Sequence, residues 1–165
     1  MDAESHQYLT FVLGQDAFAI GILHIKEILE YGQPTTVPLM PEFIRGVINL
    51  RGSVVPVIDL AARFGRPATR PSRRTCIVIV ESGTQQQDIG VIVDAVNEVV
   101  DIPPERIEPP PALGAGVSLE FMQGMGKVGE DGRFVIVLAA DHVLSLDELV
   151  ALGTMEDRTA EAVLA

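Results

Sequence analysis

The sequence predicts an all-β protein made of two small, five-stranded β-barrels packed side by side, with short helices that include one near the C-terminus. Three observations predict this class. Of the 165 residues, 47% are hydrophobic but only 5% are aromatic, and valine and isoleucine, which favour strands, dominate the apolar runs. These runs are short and separated by glycine, proline or polar turn signals. The order of the runs also repeats once along the chain.

The internal repeat predicts two copies of one unit. In the first half, a strand, a turn and a strand lead to Ile25-Lys26-Glu27-Ile28, a proline-rich loop and a hairpin after Gly46. In the second half, the same order leads through Val96-Asn97-Glu98-Val99 to a hairpin after Gly124. A small sheet that closes on itself has no edge strands with unpaired backbone groups, so each copy is predicted to form a barrel.

The arginine-rich stretch 66–74 is predicted to be a surface linker between the two barrels. We therefore predict a first barrel at residues 7–70 and a second at 71–152, followed by an acidic, alanine-rich tail at 153–165. A serine with a glutamate three residues later predicts the C-terminal helix within 145–152. The sequence leaves open whether the first strand pairs within its own barrel or crosses to the other.

The individual strands are predicted where apolar runs lie between turn signals. Cys76 lies inside one such run and is predicted to be buried. The prolines between positions 103 and 111 predict an irregular loop. Asp59 is predicted to cap a short helix at 60–64. Besides the central hairpin, the predicted strands are 8–13, 17–22, 23–30, 75–81, 88–93, 95–102, 121–128 and 133–140.

The stretch 43–59 is predicted to be a hairpin with a tight turn at its tip. Gly52 can adopt a positive φ without steric cost, as short hairpin connections require. Asn49 and Arg51 would then be held on a rigid turn, where a fixed cation can recognise another molecule. The alternative is an exposed arginine that only keeps the turn soluble.

The charge and the single cysteine exclude several classes of function. A net charge of -11 argues against nucleic acid and against an anionic membrane surface. One cysteine cannot form an intrachain disulfide, and no secretory leader is evident, so we expect a cytoplasmic protein. The longest apolar runs are shorter than the roughly 18 residues of a spanning helix, so no direct membrane insertion is expected.

No catalytic group, cofactor or metal site is predicted. His6, His24 and His142 share no spacing typical of metal ligands. Asp59 and Asp94 follow apolar strands, where capping and turn formation are the ordinary roles of aspartate. Acid–base hydrolysis by these two carboxylates is the weaker alternative. The protein is therefore predicted not to be an enzyme.

Several motifs resemble those of the CheW family of chemotaxis coupling proteins, over about residues 7–152. The most specific is the turn Asn49-Leu50-Arg51-Gly52 followed by the strand Pro56-Val57-Ile58-Asp59-Leu60. The other matching pieces are Phe11-Val12-Leu13-Gly14, Lys26-Glu27-Ile28, Val37-Pro38, Gly46-Val47-Ile48, Gly90-Val91-Ile92-Val93-Asp94 and Val96-Asn97-Glu98-Val99.

The resemblance implies a non-enzymatic adaptor of two SH3-like β-barrels, without cofactors. Family members link the cytoplasmic tips of chemoreceptors to the regulatory domain of a CheA-type histidine kinase, within receptor arrays at the membrane. Barrel-end apolar positions, which the motifs do not specify, would contact the kinase. Matched residue by residue, the receptor-facing groove comprises Ile25, Glu27, Ile28, Gly46, Asn49, Arg51 and Gly52.

Elementary physical chemistry agrees with this role. Ile25 and Ile28 would anchor a receptor helix, and Arg51 would pair with a receptor carboxylate or a helix-end carbonyl. The alternative function is a small-ligand-binding module that uses the cleft between the barrels.

Overall fold

The structure, a computed structural model, describes residues 6–38, 43–64, 66–82, 87–109, 122–129 and 132–139. Within these residues it contains β-strands, one short α-helix and two 3₁₀ turns. The strands are β1 (Gln7–Leu13), β2 (Asp16–Gly21), β3 (Ile25–Glu30), β4 (Ile44–Leu50), β5 (Ser53–Asp59), β6 (Cys76–Ser82), β7 (Gln87–Val93), β8 (Ala95–Asp101), β9 (Ile107–Glu108), β10 (Met122–Val128) and β11 (Arg133–Leu138). The helix α1 is Leu60–Arg63, and the 3₁₀ turns are Ile22–His24 and Pro104–Arg106.

The strands form two sheets. The six-stranded sheet has the order β8-β1-β2-β11-β10-β9, and the five-stranded sheet has the order β3-β6-β7-β5-β4. The all-β class is therefore confirmed. The closure of each sheet into an SH3-like barrel stays a prediction, and the predicted helix at 145–152 and the tail at 153–165 lie outside the described residues.

Each sheet is built from both halves of the chain. The hairpin β1–β2 pairs with β8 on one side and β11 on the other, so the first strands cross to the second half. The hairpin β6–β7 makes the reciprocal exchange and pairs with β3 and β5. The strands β2 and β11 run parallel, as do β5 and β7. The predicted boundary near residue 70 therefore does not separate the two sheets.

The largest buried cluster lies between the sheets and joins them into one body. In β6, Val78 and Val80 face this shared core, whereas Ile77 and Ile79 face a smaller cluster on the opposite side. Side chains alternate between the two faces of a strand, so β6 is buried on both faces and needs a continuous apolar sequence. The buried members of the shared core are Leu9, Phe11, Leu13, Phe18, Ile20, Ile58, Leu60, Ala61, Val78, Val80, Ile89, Val91, Val93, Met122, Ile136 and Leu138.

Each sheet also has a smaller cluster of its own. That of the five-stranded sheet contains Val55, Val57, Ile77, Ile79 and Ile92. The cluster of the six-stranded sheet contains Ala19, Ile102, Val128, Val135 and Val137. Full burial of one such aliphatic side chain stabilises a fold by about 1.5–3 kcal/mol for valine to isoleucine. Because most large members belong to the shared core, the two sheets depend on each other for their stability.

Three local predictions need correction. The predicted strand 23–30 begins as the 3₁₀ turn Ile22–His24 and becomes extended only at Ile25. The predicted irregular loop after residue 102 contains two regular elements, the 3₁₀ turn Pro104–Arg106 and the strand β9. The turn tolerates Pro104 because its first position needs no backbone N–H. Cys76, predicted to be buried, is half-buried at the start of β6.

Asp59 caps α1, as predicted from the sequence. Its carboxylate is fully buried and accepts a hydrogen bond from the backbone N–H of Ala62 at 3.2 Å. The same carboxylate accepts from the N–H of Thr69 at 2.9 Å and pairs with Arg45 Nη1 at 3.2 Å. Asp59 thus ties the helix and the linker to β4. These three partners offset the cost of burying the carboxylate and give it a structural role as a cap.

Gly46 lies at a β-bulge in β4, where the backbone has a φ of 145°. A Cβ at this position would collide with the backbone carbonyl oxygen of Thr35. That oxygen cannot withdraw, because it accepts from Val47 N–H at 2.9 Å while Thr35 N–H donates to Val47 O at 2.8 Å. Gly124, the corresponding glycine of the second half, is crowded in the same way by the carbonyl of Glu108.

We expect Gly46→Ala to lower the free energy of unfolding by about 2–4 kcal/mol, through backbone strain and the collision with Thr35. Gly32→Ala is the matched control, since a Cβ there meets nothing within 4 Å. We expect that control to change stability by less than about 1 kcal/mol. Urea unfolding followed by circular dichroism measures both. Equal stability of the two variants would contradict the close approach at Gly46.

Candidate functional site

The tip of the β4–β5 hairpin is a two-residue turn made by Arg51 and Gly52. Leu50 and Ser53 form the last pair of the ladder, and the φ angles are 52° for Arg51 and 87° for Gly52. Positive φ at both central residues is the signature of the type I′ turn, whose twist matches that of the flanking strands. The side-chain oxygen of Asn49 accepts from Gly52 N–H at 2.9 Å. The sequence predicted the positive φ of Gly52 but not that of Arg51.

A bidentate ion pair connects this tip to β3. Arg51 donates through Nη1 to Oε1 of Glu27 and through Nη2 to Oε2, the second at 3.1 Å. Glu27 lies on β3, one edge strand of the five-stranded sheet, whereas Arg51 lies on the hairpin that carries β4, the other edge. The ion pair therefore bridges the two edges of the sheet. The Arg51 side chain stays 73% exposed.

The ion pair shifts the titration of both partners. The hydrogen bonds from Arg51 lower the pKa of Glu27 below its ordinary value of 4.5; desolvation opposes this effect, and coulombic attraction assists it. The same hydrogen bonds raise the pKa of Arg51 above its ordinary value. Both groups therefore carry their charges at neutral pH, and the hairpin tip presents a fixed guanidinium.

A bulge at Lys26 decides which side chains of β3 share a face. Ile25 is paired with Val80 and Ile28 with Val78, two residues that face the shared core, whereas the intervening Glu27 is paired with Ile79 on the opposite face. Ile25 packs against the shared core and is half-buried. Ile28 is 44% exposed. Of the two predicted anchors, Ile28 is thus the more accessible.

The predicted site residues do not all come together. Two hydrogen-bonded pairs, Arg51 with Glu27 and Gly52 with Asn49, adjoin at the hairpin tip, and these four residues are hereafter the tip group. Ile25 and Ile28 lie on the same strand as Glu27. Gly46 is buried near the far end of β4 and serves the close approach to the Thr35 backbone. Its role in this structure is architectural.

Sequence reasoning missed two exposed apolar side chains near the predicted site. Val54 is paired with Asn49 across the hairpin and is 65% exposed. Leu23 lies in the 3₁₀ turn that leads into β3 and is 74% exposed. The sequence did contain a signal for Val54. Residues paired across a hairpin point to the same face of the sheet, and Val54 lies opposite Asn49, which was predicted to face outward.

The six-stranded sheet exposes large apolar residues at the corresponding places. Val99 on β8 and Phe134 on β11 are each 47% exposed. In the internal repeat, Val99 corresponds to Ile28. Phe134 corresponds to Val54, because each is the second residue of the strand that follows its hairpin turn. Lys127 Nζ lies 5.8 Å from the centre of the Phe134 ring. Each sheet therefore has its own accessible apolar positions.

Other kinds of site have little support in the part of the chain that the structure describes. No cluster of three or more histidine, cysteine or acidic side chains that could hold a metal ion occurs among those residues. Within the same residues, no helix has the length and apolar character needed to cross a bilayer.

Two interleaved sheets around a shared core, with a rigid cationic tip and exposed apolar positions on both sheets, define an all-β scaffold protein. The family model described as CheW-like domain matches residues 7–148, and the chain belongs to the CheW family. The resemblance found in the sequence is therefore confirmed, and with it a scaffolding role in chemotaxis.

Individual relatives agree with this assignment. The chain is 34% identical to the chemotaxis protein CheW of Klebsiella aerogenes over 149 residues, which cover 90% of this chain and 87% of that protein. It is 31% identical to protein FrzA of Myxococcus xanthus, with 72% of each chain covered. The crystal structure of the scaffolding protein TtCheW from Thermoanaerobacter tengcongensis superposes with a TM-score of 0.74 at 36% identity, over 82% of this chain and 89% of that chain.

We expect the carboxyl group of Glu27 to titrate below 4.5, the ordinary glutamate value. A lowered pKa means that the ion pair stabilises the fold above the ordinary pKa, and that this contribution is lost as the pH falls through the lowered value. Carboxyl-detected NMR titration measures this pKa. In Arg51→Gln, it should return towards 4.5. An unchanged pKa in that variant would show that the ion pair is absent in solution.

Proposed function

We propose that this protein is an adaptor that couples the cytoplasmic tips of chemoreceptors to a CheA-type histidine kinase. It would act in the cytoplasm, recruited to receptor arrays at the membrane, and it would work by binding rather than by catalysis. Membership of the CheW family supports the proposal. The observation that carries it is the Arg51 guanidinium, fixed and exposed on the hairpin tip.

Arg51 can bind a receptor without releasing Glu27. A guanidinium carries five N–H donors, and two of its nitrogens already donate to Glu27. The remaining donors are available to a carboxylate or a helix-end carbonyl of the receptor. Because the turn and the ion pair hold the side chain in place, little conformational entropy is lost when it binds.

The apolar contacts of a receptor helix would come from Ile28 and Val54. Both side chains are substantially exposed, Ile28 on the strand of Glu27 and Val54 on the hairpin of Arg51. A helix in an apolar groove needs such anchors together with a few polar groups that set its register. The tip group supplies those polar groups.

The kinase surface would lie on the other sheet, at Val99 and Phe134. These residues repeat the positions of Ile28 and Val54, and they are exposed apolar groups of the kind that anchor protein interfaces. The two surfaces then belong to different sheets that share one core. A displacement imposed at one surface reaches the other through packed side chains, which is how two binding sites become coupled.

Arg51→Glu tests the receptor surface. We expect it to weaken binding of a receptor-tip fragment about ten-fold or more, because a charge-assisted contact becomes a repulsion. Kinase binding should not change. Biolayer interferometry measures both affinities, and Arg73→Glu, an equal charge change in the linker, is the matched control.

The double variant Glu27→Arg with Arg51→Glu separates recognition from turn stability. It restores an ion pair within the protein but reverses the charge at the tip. Receptor binding should remain weak while the melting temperature approaches that of the wild type. Recovery of receptor binding in this double variant would mean that Arg51 acts only by holding the turn.

Phe134→Ala tests the kinase surface, and the expected effects on the two partners are the reverse of those expected for Arg51→Glu. We expect the affinity for the kinase regulatory domain to fall about ten-fold, as for an interface anchor, while receptor binding stays at the wild-type level. The same assay measures both, with Val54→Ala as the matched control on the other sheet. A loss of receptor binding with kinase binding intact would assign Phe134 to the receptor surface instead.

A further inference from the structure

A cleft lies between the arginine-rich linker and the six-stranded sheet, formed by residues that the tip group does not include. Its volume is about 560 Å³, within the range of small-molecule sites. One wall is the linker, which contributes Arg66, Arg70 and Arg74. The facing wall includes the half-buried Val12 on β1, and Asp94 and Ala95 where β8 begins. The cleft is thus cationic on one side and partly apolar on the other.

The three arginines are not equivalent. Arg66 is engaged within the protein, with Nη2 2.8 Å from Asp16 Oδ2 and its guanidinium 5.5 Å from the centre of the Phe18 ring. Arg70 and Arg74 have no carboxylate partner among residues 6–38, 43–64, 66–82, 87–109, 122–129 and 132–139. The cleft thus holds, among those residues, two arginines without an ion-pair partner and one acidic residue, Asp94, in a chain whose net charge is -11.

The cationic wall is held in place. The buried carboxylate of Asp59 accepts from Thr69 N–H at 2.9 Å and anchors the middle of the linker. Further along, Ser72 N–H donates to Thr75 Oγ1 at 2.8 Å, and Arg74 N–H donates to Ser72 Oγ at 3.2 Å. These bonds fix the linker backbone on both sides of Arg70 and at Arg74.

Thr69 is a buried member of the cleft lining. Its hydroxyl has no hydrogen-bond partner in the described part of the chain. Buried hydroxyls in folded proteins almost always have such a partner. The hydroxyl oxygen is enclosed by protein, so the polar contacts of a ligand in the cleft would come from Arg70 and Arg74.

We propose that this cleft binds a small organic phosphate monoester. Such a group carries a charge of about −1.5 to −2 at neutral pH, which the two cations Arg70 and Arg74 would neutralise. Guanidinium groups pair with phosphate oxygens in bidentate fashion. Val12 on β1 is half-buried, Pro67 and Ala68 on the linker are exposed, and these three apolar side chains would take the organic part of the ligand. Asp94 on that wall already accepts from Gly14 N–H at 2.6 Å, which offsets part of its negative charge.

Isothermal titration calorimetry on the full chain tests the site, with glycerol phosphate and adenosine monophosphate as probes. We expect at least one ester to bind with a one-to-one stoichiometry and an affinity that falls with salt. Arg70→Gln combined with Arg74→Gln should weaken that binding about ten-fold or more. Arg73→Gln is the matched control, because Arg73 is an exposed arginine of the same linker that does not line the cleft. It should change binding less than two-fold, as expected for weak surface electrostatics.

The alternatives give different results. Absence of binding by both esters at millimolar concentration overturns the proposal, as does an equal loss in the Arg73→Gln control, which would indicate non-specific attraction. Equal binding of inorganic phosphate or of succinate overturns the assignment to a phosphate monoester. These measurements use the isolated protein, so their outcome is independent of whether receptor and kinase bind as proposed.

Discussion

The reciprocal exchange of hairpins between the two halves of the chain is the constraint on which the rest of the structure depends. Because β1–β2 completes the sheet of the second half and β6–β7 completes that of the first, neither half can satisfy its backbone hydrogen bonds alone. The exchange also brings the apolar faces of both sheets into one core. The protein is therefore a single mechanical unit despite its repeated sequence.

The exchange also determines where the surfaces lie. Strands β3 and β4 remain as the two edges of the five-stranded sheet, and edges are the usual places where unpaired backbone attracts other chains. The Arg51–Glu27 ion pair bridges these edges, and a bulge interrupts each of the two strands. An isolated surface ion pair contributes little to stability. Its value here is positional, because it fixes a cation that the type I′ turn already directs outward.

Such a body suits the work of a scaffold. In the proposed receptor array, individual contacts could each be weak, because repetition of the contacts raises the effective concentration of every partner. The scaffold must keep its binding surfaces at a constant distance and orientation. The shared core achieves this, because close-packed interiors transmit displacement instead of absorbing it.

The sequence by itself determined the features that depend on neighbouring residues. Strand positions followed from short apolar runs between turns, the cap at Asp59 from its place before α1, and the positive φ of Gly52 from the short hairpin. The repeat and the family motifs also lie in linear order along the chain, so they could be recognised before any folding was considered.

Only the tertiary structure decided which strands pair, because the partners of β1 and β6 lie far away in sequence and the repeat permits either arrangement. It also decided that Arg51 pairs with Glu27, that a bulge brings Ile25 and Ile28 to one face, and that Gly46 serves a backbone contact. Each of these depends on the distance between residues remote in the chain. Local sequence patterns carry no information on such distances.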